Sequence, residues 1–116
     1  MESITVDLIP LLNCNNQLPT CHASHGDSGR HVEVKLTENG EPYYLNGDEV
    51  ITLAVKVSDN TEVCKRVMNS GGDSLIIVIS SDMTRSYGDQ LCELIFEKDT
   101  HHVASSNFIM HVEKLA

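Results

Sequence analysis

His31-Val32-Glu33-Val34-Lys35-Leu36-Thr37-Glu38-Asn39-Gly40-Glu41 is the stretch that decides the fold class. Successive side chains of a strand point to opposite faces, so Val32, Val34 and Leu36 share one side, with His31, Glu33, Lys35 and Thr37 on the other. This pattern predicts a half-buried strand. The Asn39-Gly40 pair tolerates the positive φ that both central positions of a type I′ turn demand, so the chain is expected to fold back there as a hairpin. Just upstream, His25-Gly26-Asp27-Ser28-Gly29-Arg30 reads as the turn that launches the strand.

Outward from this hairpin the same period of two recurs. Pro42-Tyr43-Tyr44-Leu45 is a short extended piece and Asn46-Gly47-Asp48 a second turn. Residues 49–57 form the clearest strand, with Ile51, Leu53, Val55 and Val57 on one face. A turn at Ser58-Asp59-Asn60-Thr61 leads to a weaker strand over 62–68, and Asn69-Ser70-Gly71-Gly72-Asp73 to the continuous apolar run Leu75-Ile76-Ile77-Val78-Ile79. A run without alternation implies cover on both faces, so a central position is expected for it. Residues 80–88 predict a short crossover, with Ser81-Asp82 capping one helical turn before Gly88. Residues 90–98 place Cys92, Leu94 and Phe96 together; Lys98-Asp99-Thr100-His101-His102 is a polar hairpin; Ser106, Phe108, Met110 and Val112 line a closing strand. Near the amino terminus Ile4-Thr5-Val6-Asp7-Leu8-Ile9 is β-branched and suits a sheet edge. From Leu11 to Ser28 the composition changes to Asn, Pro, Cys, His, Ser and Gly, and residues 8–28 are expected to be a loop or arm that lies on a neighbouring subunit. The residues therefore predict one all-β domain over 1–116, an antiparallel β-sandwich of six to seven strands.

The totals narrow the function. A chain of 116 residues can bury a single core. Eight Lys and Arg against 17 Asp and Glu leave a net charge of -9, and the basic residues are scattered except for Lys65-Arg66, which disfavours nucleic acid as a partner. No apolar run reaches the ~20 residues that span a bilayer and no signal core is present, so a soluble, unexported chain without membrane association is expected. Cys14, Cys21, Cys64 and Cys92 lack the dense spacing of a disulfide framework and are read as thiols, Cys92 as a buried one.

Candidate chemistry is thin. Cys14, Cys21, His22, His25 and His31 are types that bind zinc, but their spacing does not form paired ligand motifs, and His101-His102 alternate across a strand, so no metal ligand is nominated. Asp27, Ser28 and His31 include the residue types of a hydrolytic triad without a nucleophile elbow, and Asp27 with Arg30 is read as a local turn pair. The glycines form no phosphate-binding loop between strand and helix. No catalytic or cofactor-binding residue is assigned, no cofactor is expected, and the chain is read as a non-enzyme. Tyr43, Tyr44 and Tyr87 could form a stacking platform in a carbohydrate-binding or adhesin sandwich, the second reading, although Tyr43 and Tyr44 are expected to face opposite ways.

Taken in order, Ile4-Thr5-Val6-Asp7-Leu8, the His25-to-Arg30 segment, Leu36 with Asn39-Gly40-Glu41-Pro42-Tyr43, Leu45 and Gly47 resemble the amino-terminal domain of phage upper baseplate proteins. The turn over 56–60, Met83-Thr84 ahead of Gly88, and Asn107-Phe108-Ile109-Met110-His111-Val112 extend the resemblance over nearly the whole chain. His25 stands where the family often has Gln, Ser58-Asp59-Asn60 lacks the family's Pro and Gly, and Leu91 replaces an aromatic residue. The resemblance implies an immunoglobulin-like sandwich that anchors a tail fibre or receptor-binding protein to the baseplate. It further implies assembly with other phage tail or baseplate proteins, with homo-oligomerisation open, and a place in the virion after assembly in the bacterial cytoplasm. Larger family members continue past this domain into helical and fibre segments.

Overall fold

The computed structural model describes residues 2–8, 18–99 and 101–114, with 101–105 described by their backbone alone. Nine strands follow in chain order: β1 (Glu2–Asp7), β2 (Thr20–Ser24), β3 (Arg30–Glu38), β4 (Glu41–Pro42), β5 (Val50–Lys56), β6 (Glu62–Val67), β7 (Ser74–Ile79), β8 (Gly88–Lys98) and β9 (His101–Glu113). They form two sheets. In the first, β1 and β7 flank β3, and β4 continues from the end of β3; in the second the order is β2-β9-β8-β5-β6.

The expected all-β sandwich is present, and its alternation is the one read from the residues. Val32, Val34 and Leu36 of β3, with Ile4 and Val6 of β1 and Leu75, Ile77 and Ile79 of β7, form the buried face of the first sheet. Ile51, Leu53 and Val55 of β5, Cys92, Leu94 and Phe96 of β8, and Phe108, Met110 and Val112 of β9 face them from the second. Burying a side chain of this kind contributes about 1.5–3 kcal/mol, so these two facing sets hold the sheets together. The Asn39-Gly40 hairpin is also as expected: φ is 54° at Asn39 and 82° at Gly40, and Glu38 pairs with Glu41 across the turn.

Three features differ from the reading of the sequence. The sheets are mixed rather than antiparallel throughout, because β1 runs parallel to β3 and β2 parallel to β9. Parallel neighbours need a crossover of a dozen or more residues, and the long 8–28 segment supplies it by leaving the first sheet, visiting the second as β2 and returning as β3. Residues 20–24 are thus a strand, not part of an arm; residues 9–17 of that segment lie outside the described residues. With β2 and the two-residue β4, the strands among the described residues number nine against the expected six to seven.

The third difference is β7. It pairs with β3 on one side and with no described strand on the other, so it is an edge strand, not a central one. Its alternation is real: Leu75, Ile77 and Ile79 are buried, while Ile76 and Val78 are 40% and 50% exposed. The connection that follows crosses to the second sheet as expected, but as two overlapping turns, Met83 N–H to the Ser80 carbonyl (3.0 Å) and Thr84 N–H to Ser81 (3.3 Å), with no helix. Buried Met83 anchors it to the core.

Candidate functional site

The segment His25 to Arg30 is a junction. After β2, the Asp27 carboxylate accepts from the Ser24 N–H (2.8 Å) and from Arg30 Nε (2.8 Å), while the Asp27 carbonyl accepts from the Thr84 hydroxyl (2.7 Å). The backbone of His25 donates to Glu113 (2.8 Å), Gly26 to Thr84 (3.1 Å) and Gly29 to Ile79 (2.8 Å), so this turn ties β9, the β7–β8 connection and β7 to one point. The donated N–H of Ser24 and the Arg30 side chain hold the Asp27 carboxyl below its ordinary range. The Asp27 carboxylate is thus held by its own turn, and the nearby imidazoles are engaged by backbone. The His25 ring pairs with the Arg85 carbonyl (2.9 Å) and the His31 ring with Gly29 (2.8 Å).

The other nominated groups do not converge. Cys21 is buried and His22, beside it on β2, faces out; Cys14 and the side chains of His101 and His102 lie outside the described residues. Among the described residues no three His, Cys, Asp or Glu side chains are placed to share a metal ion. Tyr43 lies half-buried against the core and Tyr44 is exposed, facing apart as expected. Tyr87 stands beside Gly88 at the start of β8, where it meets the His25 ring edge-on (centroids 6.1 Å) and Lys114 Nζ (5.4 Å). Tyr43 instead feels the charges of Glu49, Glu38 and Lys98, at the other end of β8. At about 3.4 Å per residue that strand separates them by roughly 30 Å, so the three tyrosines form no common platform.

Two carboxylates that sequence reasoning passed over organise the loops at that end. Asp7 accepts from the Thr37 hydroxyl (3.0 Å) and from the backbone of Asn39 (3.2 Å) and Gly40 (2.9 Å), clamping the hairpin turn from β1. Buried Glu49 accepts from the N–H groups of Asn46 (3.0 Å) and Gly47 (3.1 Å) and from Asn69 Nδ2 (3.1 Å), joining the second turn to the one between β6 and β7. Burial pushes the Glu49 carboxyl up, but these donors outweigh it and hold the group below its ordinary value. Buried Gln90 acts similarly: its oxygen accepts from the Ser58 N–H (2.5 Å) and its amide donates to Ser86 (2.9 Å). Neither alternation nor motif marks Asp7, Glu49 or Gln90; a polar residue next to a Gly- or Asn-bearing turn is the available signal.

The lateral sides of the sandwich are unlike. On one, β1 and β2 lie together, and Glu2 accepts from both the backbone N–H (2.7 Å) and the ring Nδ1 (2.7 Å) of His22, covering the β2 edge. On the other, β6 and β7 leave a groove of about 400 Å³ lined by Leu53, Val67, Met68, Ile76, Val78 and the Lys65-Arg66 pair. Met68 is 80% exposed there. This open, largely apolar groove is suited to contact with another protein.

No family model and no curated protein sequence matches the chain. Among solved structures, the fold is similar to "N-terminal domain of phage TP901-1 ORF48", with a TM-score of 0.73 and 18% sequence identity, covering 97% of this chain and 98% of that one. The likeness in fold therefore extends over nearly the whole of both chains.

Proposed function

We propose that this chain is a single-domain, immunoglobulin-like structural module of a phage or prophage virion. It anchors a tail fibre or receptor-binding protein to the baseplate by protein–protein assembly and carries no catalytic, cofactor or metal site. Its partners are other phage tail or baseplate proteins, not nucleic acid or membrane, and homo-oligomerisation is open. The observation that supports this reading most strongly is the end-to-end likeness in fold to the amino-terminal domain of a phage protein, from a chain whose motifs independently resemble phage upper baseplate proteins. The side chains agree: the Asp27, His25 and His31 groups serve backbone, while apolar and basic side chains meet at an open edge.

Capture experiments test the proposal. Immobilised protein is expected to retain at least one tail or baseplate protein encoded beside it, in a form that survives moderate salt. Retention of none of them rejects the assembly role.

A further inference from the structure

We infer that the groove between β6 and β7 receives an extended, alternately apolar and acidic segment of a partner protein, which adds to β7 as a further strand. The inference rests on the assembly reading and names the surface and the chemistry of the partner.

The backbone sets the geometry. Leu36 and Asp73 lie opposite one another, and the Leu36 N–H donates to the Asp73 carbonyl (2.8 Å). Hydrogen-bonded pairs alternate along an antiparallel ladder. From Leu36 and Asp73 the register steps to Val34 with Leu75, Val32 with Ile77 and Arg30 with Ile79. Leu75, Ile77 and Ile79 thus spend their N–H and C=O groups on β3, while those of Ile76 and Val78 point to the open side, where no described strand pairs with them. An incoming strand about 4.8 Å away would meet donors and acceptors already in register.

An edge of this kind is a hazard unless it is covered. Sheet edges are commonly protected by lysine, proline, bulges or very short strands. Within β7 there are six residues, Ser74-Leu75-Ile76-Ile77-Val78-Ile79, with no charge and no proline, and its pairing with β3 is regular. Glu2 guards the opposite side of the sandwich; nothing comparable guards this one among the described residues.

Charge selects the partner. The only adjacent basic residues of an acidic chain, Lys65 and Arg66, line this groove. Arg66 has no ion-pair partner among the described residues, and Lys65 reaches Asp82 at 3.7 Å with both side chains about half exposed, a pair weak enough to be exchanged. On β3, Lys35 lies opposite Ser74 and His31 opposite Val78; Glu33, opposite Ile76, accepts the Ser3 hydroxyl. Carboxylates on the face of an added strand turned toward β6 would be attracted by Lys65 and Arg66 across the groove that these residues line. A second copy docked edge to edge across a two-fold axis would instead bring two Lys65-Arg66 pairs together. The favoured occupant is therefore an acidic strand from another protein.

The test uses the whole chain, labelled with ¹⁵N, and two short capped peptides, one alternating Glu and Val, the other Lys and Val. The Glu/Val peptide is expected to shift the amides of Ile76 and Val78 saturably, with binding weakened by salt and about tenfold by Arg66→Glu. Val78→Pro, which removes an outward N–H and leaves the β3 ladder intact, is expected to abolish it. If that variant does not fold, Arg66→Glu carries the test alone. Equal binding of the Lys/Val peptide, no response at Ile76 and Val78, or concentration-dependent pairing of the free protein at the same amides overturns the inference. Tail-protein capture that persists in a folded Val78→Pro variant rejects this edge while leaving the assembly role intact.

Discussion

Replacing Glu49 by Gln keeps the length of the side chain and removes its charge. In the native protein one oxygen accepts from Asn46 N–H, Gly47 N–H and Asn69 Nδ2, and the other from Asn46 at 3.2 Å. Glutamine offers one oxygen and turns an NH₂ group toward donors. Hydrogen bonds to a charged acceptor contribute about 1.5–3 kcal/mol each, but the surviving amide oxygen keeps part of the set, so a net loss of about 2 kcal/mol follows. For a domain of this size that is roughly 6–10 °C in Tm. The pH dependence gives the sharper test. Desolvation raises the Glu49 carboxyl, the donors lower it, and the balance lies below its ordinary 4.5. A carboxylate whose folded value is depressed contributes stability that is fully present above the unfolded value and is lost as pH falls through the folded one. Urea unfolding followed by circular dichroism should therefore show a constant gap between native protein and Glu49→Gln from neutral pH to about 5, closing below about 4.5. Other carboxylates titrate in both proteins and largely cancel in the difference. A gap that is absent at pH 7, or that persists unchanged in strong acid, refutes the role assigned to the Glu49 charge.

Two further outcomes are expected. Gly40→Ala places a Cβ at φ 82° with nothing within 4 Å, so its cost is backbone strain alone, about 1–2 kcal/mol by denaturant titration; a neutral result would mean that the turn relaxes. Burial and the Glu2 charge push the Cys21 thiol up to about 12, and burial with neighbouring Cys21 pushes Cys92 up further, whereas Cys64 is exposed. Alkylation at pH 8 read by peptide mapping should mark Cys64 in the native protein, slowly because desolvation and Glu62 raise its thiol too, and reach Cys21 and Cys92 only on unfolding.

What was legible in the sequence follows from which forces act locally. Strand β5 and the buried faces of β3, β8 and β9 were readable because a period of two reports directly on burial. Asn39-Gly40 was readable because few pairs accept two positive φ angles. The parallel pairings were not, since the direction of a neighbouring strand is decided by where a distant segment returns, and the Asn- and Pro-rich composition of residues 8–28 masked the short β2. The run at 75–79 misled for a different reason: periodicity cannot separate a residue buried by its own domain from an apolar residue left open at an edge, and Ile76 and Val78 are of the second kind. The Asp27 turn was read correctly because Asp and Gly carry a local backbone preference. Glu49 and Asp7 escaped because their partners are backbone groups of turns, which the residue string does not display.

The pairing of β2 with β9 has a consequence for the order of events during synthesis. As a strand, residues 20–24 pair only with residues 109–113, at the far end of the described chain. As the polypeptide leaves the ribosome, β3 can recruit β1, but β2 must wait until nearly every other strand has emerged. Closing so long a loop is slow, because its entropy is lost before the contacts that compensate it form. The second sheet is therefore expected to remain incomplete late in folding, and shortening the chain ahead of residue 109 would release two strands rather than one.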